Sequence, residues 1–334
     1  EAQIITAVAT IDPNAFFTKS TSGLLAVATP TYIKVYPVSD DKIDIESAFT
    51  TNQELNFTPI CLCSGDPGQL FIGATDGHLY SIHADIDQQI TDENQGPFIV
   101  KNLTSIFLIS SIMNFLTSSR SPIWKICYDP STSYLATIDS NNTIKFYSHS
   151  NNSLSKNYTF TPPKDLKFVS IVPVDRCDSQ TIRFIAFTKK GDRFYFGTNS
   201  PSSSKIALRG QRKPPAEIGQ HEVVDAFYSC GYTALLCKDL ILGIQSFNLD
   251  SSQTNCYEFV AKSGISGYGI CIAGSPFGLS GSDNRIYHEP LLSQHLNFIP
   301  DLFVLTSRGG CIMKFKPPAA FIHQFITEKK KNFT

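Results

Sequence analysis

The chain has 334 residues, of which 42% are hydrophobic, 12% aromatic and 17% charged, and its formal net charge is −1. That length allows one large buried core or two smaller ones. The even charge balance gives no electrostatic reason to expect nucleic acid or anionic lipid as the main partner, and scarce charge with many aromatics points to a sheet-rich fold with much covered surface.

In chain order, the first alternating run is IITAVATID (4–12), followed by the hairpin pattern LLAVATPTYIKVYPV (24–38). The same pair recurs as TPICLCSGD (58–66) with QLFIGATDGHLYSI (69–82). It returns as IWKICYDP (123–130) with SYLATIDSNNTIKFYSH (133–149). LKFVSIVPV (166–174) precedes IRFIAFTKKGDRFYFGT (182–198), and EVVDAFYSC (222–230) precedes YTALLCKDLILGIQSF (232–247). A last hairpin is DLFVLTSRGGCIMKFK (301–316). Asp76-Gly77, Asn141-Asn142, Lys190-Gly191 and Gly309-Gly310 supply turn chemistry between the paired strands.

A strand, a hairpin and a less regular fourth strand, repeated every forty to sixty residues or roughly so, is the arithmetic of a β-propeller blade. Six blades are visible, and CYEFVAKSGISGYGICIAG (256–274) reads as an irregular seventh. The expected fold is therefore an all-β, seven-bladed β-propeller over 1–318, with its closure left open, and a tail at 319–334 leading into a helical region. The WD dipeptide is absent. The long joins 83–102, 199–221 and 276–299 are rich in Ser, Pro, Gly, Gln and Asn and read as surface excursions. The start at Glu1 and the ending TEKKKNFT read as the limits of a fragment of something longer.

One join differs from the rest. NLTSIFLISSIMNFLTSS (102–119) has no charged residue, and half of it is Ser, Thr or Asn. At 100° per residue, Leu108, Ile109, Ile112, Met113, Phe115 and Leu116 share one side, while Ser110, Ser111, Asn114, Thr117 and Ser118 share the other. Leu103, Ile106 and Phe107 extend the apolar set upstream, although Leu103 and Phe107 break the pattern, and Lys101 and Arg120 stand just outside. So many polar groups exclude a membrane span. Two readings remain: an ordinary helix packed on the propeller, or an amphipathic helix over 103–118 lying in a membrane surface. A Ser/Thr face without charge is the composition of lipid-packing sensors. Six inserted side chains would contribute about 10 kcal/mol gross, much of it offset by ordering the helix.

Chemistry-bearing motifs are missing. The nine cysteines (Cys61, Cys63, Cys127, Cys177, Cys230, Cys237, Cys256, Cys271 and Cys311) are odd in number and irregular in spacing. They read as buried thiols of a reducing compartment, with Cys61 and Cys63 on one strand face. The seven histidines show no metal-ligand spacing, GLSGS (278–282) lacks the last glycine of a nucleophile elbow, and GISGYG (264–269) is no dinucleotide fingerprint. RGQRK (209–213) and EKKK (328–331) read as solvated loop and tail. No catalytic residue, cofactor, metal, small-molecule substrate or specific nucleic acid is expected. Six N-x-S/T sequons keep a secreted glycan-binding propeller as an alternative, beside a protein-docking propeller without membrane contact.

LFIGATDGHLYSI, the uncharged segment and SPIWKICYDPSTSYLATIDSNNTIKFYSH, in that order, resemble the amino-terminal propeller of the large inner-ring scaffold nucleoporins, the 155-kDa class. IAFTKKGDRFYFGTNSP, HEVVDAFYSCGYTALL and LNFIPDLFVLTSRGGCIMKFKPPAAFIHQFI are similar to later blocks of that family, although Lys316-Pro317-Pro318 departs from its usual Arg-Pro-hydrophobic pattern. The resemblance implies a structural subunit of the nuclear pore complex at the nuclear envelope, supporting nucleocytoplasmic transport as architecture. Its implied partners are other inner-ring scaffold and linker nucleoporins and pore membrane lipid. The implied membrane-binding residues are Leu103, Ile106, Phe107, Leu108, Ile109, Ile112, Met113, Phe115 and Leu116.

Overall fold

The computed structural model describes residues 4–11, 23–39, 42–43, 45–46, 48–50, 54–84, 98–104, 120–246 (apart from 152, 175, 177 and 230), 249, 258–275 and 301–314. The chain divides into two compact units, Glu1–Thr161 and Pro162–Thr334.

The first unit holds three antiparallel sheets. The first runs β1 (Ala7–Ile11), β2 (Gly23–Ala28), β3 (Ile33–Ser39) and β4 (Lys42–Ile43), with β5 (Phe49–Thr50) also on β3. The second runs β6 (Pro59–Ser64), β7 (Gln69–Ala74), β8 (Leu79–Ala84) and β9 (Phe98–Asn102). The third runs β10 (Ile123–Asp129), β11 (Tyr134–Asp139), β12 (Ile144–Ser150) and β13 (Ser153–Phe160). Each sheet runs in chain order, and tight turns join pairs such as β7–β8 and β11–β12. Asn142 and Gly77, at φ 65° and 74°, sit in the left-handed region that such turns require.

The second unit repeats the plan. Its sheets are β14 (Phe168–Pro173) to β17 (Ile206–Arg212) through β15 (Ile182–Thr188) and β16 (Arg193–Thr198); β18 (Val223–Ser229) to β21 (Glu258–Gly264) through β19 (Tyr232–Cys237) and β20 (Leu240–Ser246); and β22 (Gly269–Ser275), β23 (Asp301–Thr306) and β24 (Gly309–Lys314).

Core lies between neighbouring sheets within each unit. Leu24 and Val35 of the first sheet meet Leu70 and Ile82 of the second, and Phe71 and Leu79 meet Ile126 and Leu135 of the third. In the second unit Ile185 and Tyr195 meet Leu235 and Leu242, while Leu236 and Ile241 meet Leu302 and Val304. The middle strands β7, β11, β15 and β19 are therefore buried on both faces and are mostly apolar, with a few buried polar residues such as Gln69, Thr137 and Arg183. Sheets approach closely at Gly73, where an added Cβ would lie 2.6 Å from Cys61 Sγ and 2.8 Å from the Ile123 carbonyl oxygen.

A second repeat is invisible in composition. The opening strands of five sheets carry an extra residue at their second position: Ile60, Trp124, Val169, Val224 and Ile270 each fall between two paired positions. Such bulges raise the local twist. One position later in β18, buried Asp225 joins three sheets. Its Oδ1 accepts from Ser170 Oγ on β14 at 2.8 Å and from its neighbour's N–H, and its Oδ2 accepts from the Ile272 N–H on β22 at 3.3 Å.

Three expectations change. The supposed seventh blade at 256–274 is divided: Glu258–Gly264 closes the fifth sheet and Gly269–Ser275 opens the sixth, so the described residues form six sheets. The Ser-Gly turn at 265–268 separates these strands instead of pairing them. The joins 83–102 and 199–221 contain the fourth strands β9 and β17, and RGQRK lies mostly in β17. No α-helix occurs among the described residues, and none of their helices is long and apolar enough to cross a membrane. The expected helical insertion lies outside the described residues from 105 to 119, as does the tail 319–334.

Candidate functional site: the root of the uncharged segment

The described residues on either side of the uncharged segment meet at one hairpin turn. β7 and β8 are joined through Thr75–His78, and Asp76 organises that turn. Its Oδ1 accepts from the His78 N–H at 2.9 Å, and its Oδ2 accepts from the Tyr80 hydroxyl at 2.6 Å. Gly77 is required by contact as well as by φ, because a Cβ there would lie 2.6 Å from Arg120 Cβ and 2.7 Å from the Ser121 carbonyl oxygen.

On the entry side, β9 ends at Asn102. The Leu103 N–H donates to the Leu79 carbonyl at 2.8 Å, carrying the β8–β9 ladder one residue further. Asn102 Oδ1 accepts from the Thr104 N–H at 2.9 Å, and the Leu79 N–H donates to Thr104 Oγ1 at 3.3 Å. Thr104 Oγ1 then lies 2.7 Å from His78 Nδ1.

On the exit side, Arg120 Nη1 lies 2.7 Å from the same ring nitrogen. An arginine only donates, so Nδ1 is its acceptor, and the Thr104 hydroxyl donates to Asn102 Oδ1 at 3.1 Å. Ser121 accepts from the Asn141 side-chain amide at 2.5 Å, and the Ser140 N–H donates to the Pro122 carbonyl at 2.8 Å. The Trp124 indole donates to the Asp139 carbonyl at 3.0 Å. Both flanks are thus fastened to fixed hairpins before and after the segment.

The electrostatics favour a neutral His78. Burial lowers its pKa first and the Arg120 charge lowers it further, against the opposing pull of Asp76 and the hydrogen bond with Asn102. Burial also pushes the Tyr147 hydroxyl up to about 12, with Arg120 working the other way.

Of the nine residues expected to touch a membrane, Leu103 is described, and it is a core residue. It is 1% exposed and packs with Phe71, Leu79, Ile123 and Leu135. Its backbone continues a strand, which turns its side chain under the sheet, so it is removed from the membrane set. Ile106, Phe107, Leu108, Ile109, Ile112, Met113, Phe115 and Leu116 lie outside the described residues. His78, Thr104 and Arg120 were missed as a group. Asp76-Gly77 marked the turn, but nothing in the sequence joins His78 to a residue 42 positions later.

Elsewhere the chemistry is quiet. Cys61 Sγ lies 3.3 Å from the Ile123 carbonyl oxygen, and burial pushes the Cys61 and Cys63 thiols up to about 12 and about 11. Cys61, Cys63, Cys127, Cys237 and Cys271 are free thiols. Among the described residues no group of three His, Cys, Asp or Glu could hold a metal ion.

A family model for nucleoporin amino-terminal domains, described as Nup133 N terminal like, matches residues 3–239. The chain belongs to this nucleoporin family. Among solved structures it is similar to the amino-terminal domain of Chaetomium thermophilum Nup170 in its complex with Nup53, at TM-score 0.66 and 16% identity, over 95% of this chain and 53% of that one. The nucleoporin chain thus spans about half the length of that relative. The β-propeller domain of Myceliophteria thermophila Cps50 (Swd1) matches at TM-score 0.54 and 9% identity, over 93% of this chain and 83% of that one. Chaetomium thermophilum Raptor matches at TM-score 0.53 and 12% identity, over 94% and 24%. At these identities the likeness is one of fold, and the fold is an all-β propeller. No curated protein sequence matches the chain. Its family is one of non-enzymatic scaffold proteins, and it places the nucleoporin chain in the nuclear pore complex.

Proposed function

We propose that this nucleoporin is a scaffold subunit of the pore's inner ring and touches the curved pore membrane through residues 106–116. The observation that carries the reading is the uncharged, two-sided composition of that segment between flanks fixed at a surface turn. Six apolar side chains on a Ser/Thr/Asn ribbon bind by filling gaps between lipids, with no cation to select anionic headgroups. Each copy binds weakly, and many copies in a ring bind strongly by avidity. Protein partners are other inner-ring scaffold and linker nucleoporins. The amino-terminal domain of Nup170, which shares the fold, forms a complex with Nup53.

Vesicle flotation tests this. The chain should float with small phosphatidylcholine vesicles better than with large ones, with little salt dependence. Leu108→Asp with Phe115→Asp should lower binding more than about tenfold, since two inserted side chains are replaced by charges. Flotation that survives the double substitution would leave a scaffold that docks proteins alone.

A further inference from the structure

We propose that the outer edge of the fourth sheet, centred on Arg209 of β17, is a docking surface for an acidic, extended segment of a partner protein. The proposal does not depend on the membrane reading above.

Charge is divided unevenly along the chain. Residues 162–221, which span this sheet and its turns, hold eleven Lys or Arg against five Asp or Glu, an excess of six. The whole chain stands at −1, so the remaining residues stand at −7. From Arg193 to Ala216 there are five cations and no acid. Lys189, in the same sheet's hairpin turn, is paired with Glu222 at 2.9 Å. Lys205, Arg209 and Lys213 are exposed and make no ion pair among the described residues. A concentrated positive surface of this kind attracts and orients an acidic partner.

The geometry sets the mode of contact. β17 ends the order of its sheet, with β16 as its neighbour among the described residues. The ladder shifts at Arg209, which falls between Leu208, paired with Phe196, and Gly210, paired with Tyr195. A bulge on an edge re-aims the extra side chain and hinders strand addition, so recognition falls to side chains. Arg209 Nη1 donates to Asn199 Oδ1 at 2.5 Å, which uses one of the five donors of a guanidinium. The Arg212 guanidinium is held 5.0 Å over the Tyr195 ring, and buried Arg193 donates to the Lys213 carbonyl at 3.1 Å. Placement before binding leaves less freedom to lose when carboxylates arrive. Lys205 to Lys213 covers about 26 Å of strand, the reach of an extended segment of similar length.

A protein suits this surface better than a nucleic acid. Single strands need aromatic rings on which bases stack. Every aromatic residue of 162–221 is buried: Phe168, Phe184, Phe187, Phe194, Tyr195 and Phe196. The large hydrophobic that this stretch exposes is aliphatic, Leu208, beside Arg209.

Fluorescence anisotropy with the full chain tests the proposal. The probe is a labelled peptide of alternating Glu and Val, about eight residues long to match the strand. At low salt the parent should bind it at least about tenfold more tightly than a Gln-Val peptide, and added salt should weaken binding. Arg209→Glu with Lys213→Glu should bind at least about tenfold more weakly, and Lys205→Glu alone about threefold. These reversals keep the edge charged, so a loss of binding is not a loss of edge protection. Should the double variant fail to fold, Lys205→Glu carries the test. Lys156→Glu, at an exposed position of β13, should stay within about twofold of the parent.

No binding by the parent, or equal binding by the folded charge-reversal variants, overturns the docking surface. Equal binding of the Gln-Val peptide overturns its basis in charge. An oligouridylate of the same length that displaces the probe at lower concentration than unlabelled peptide overturns the choice of a protein partner.

Discussion

The hydroxyl of Tyr128 donates to Asp66 Oδ1 at 2.9 Å, tying the end of β10 to the turn that follows β6 in the neighbouring sheet. The second unit repeats the bond: Tyr228 donates to Asp178 Oδ2 at 3.0 Å, from the end of β18 to the segment after β14. Tyr128 and Tyr228 are each the sixth residue of their strands. The same register thus delivers the same phenol to the same kind of carboxylate, once in each unit.

Removing either hydroxyl should cost about 1–2 kcal/mol, because the bond is to an ionised acceptor at a partly buried site. Urea denaturation of Tyr128→Phe and Tyr228→Phe measures this. The two losses should add in the double variant, since the pairs lie in different units and share no partner. A Tyr128→Phe protein as stable as the parent would reduce the bond to a surface contact of no consequence.

Asp225 should be the costlier position. Asp225→Ala leaves the Ile272 N–H buried without its side-chain acceptor and the Ser170 hydroxyl with the long contact to the Ala226 carbonyl at 3.5 Å, a loss of about 2–3 kcal/mol. Asp225→Asn keeps one acceptor oxygen and should recover part of it. Thermal melts that show equal losses for both variants would contradict this account.

Acid should weaken the first unit through two histidines. His149 is 8% exposed, lies 3.4 Å from the Gln69 amide, 3.8 Å from Asp66, and edge-on to Phe71. Burial lowers its pKa, with Asp66 opposing, and His78 is lowered as well. A histidine lowered in the fold takes its proton more readily when unfolded. Stability is therefore complete above pH 6.5 and is lost as pH falls through the lowered values. Denaturation midpoints between pH 7.5 and about 5 should decline, and His149→Gln should flatten the decline.

The hairpins were legible because alternation and turn chemistry agree there. QLFIGATDGHLYSI gives β7, an Asp-Gly turn and β8 within a residue or two. Fourth strands were not legible. β17, IALRGQR, is half exposed and carries two arginines, which suits the edge of a sheet and conceals a strand. The divided stretch 256–274 misled for the opposite reason: two apolar runs around a Ser-Gly turn look like a hairpin, and only register shows that each pairs elsewhere. The uncharged segment was visible in composition, whereas its root depends on His78 and Arg120 meeting across a turn, which no local pattern encodes.

The placement of Thr104 and Arg120 beside the Asp76–His78 turn also fixes a tether length. From that point the midpoint of residues 105–119 is eight residues away by either route, which at full extension is about 25 Å. No apolar side chain of the segment can seek lipid beyond that radius, so a bilayer touched by it must pass within a few nanometres of the Asp76–His78 turn. Under the proposed membrane reading, the turn becomes a ruler for standoff: the orientation of this one hairpin decides whether residues 106–116 reach the bilayer.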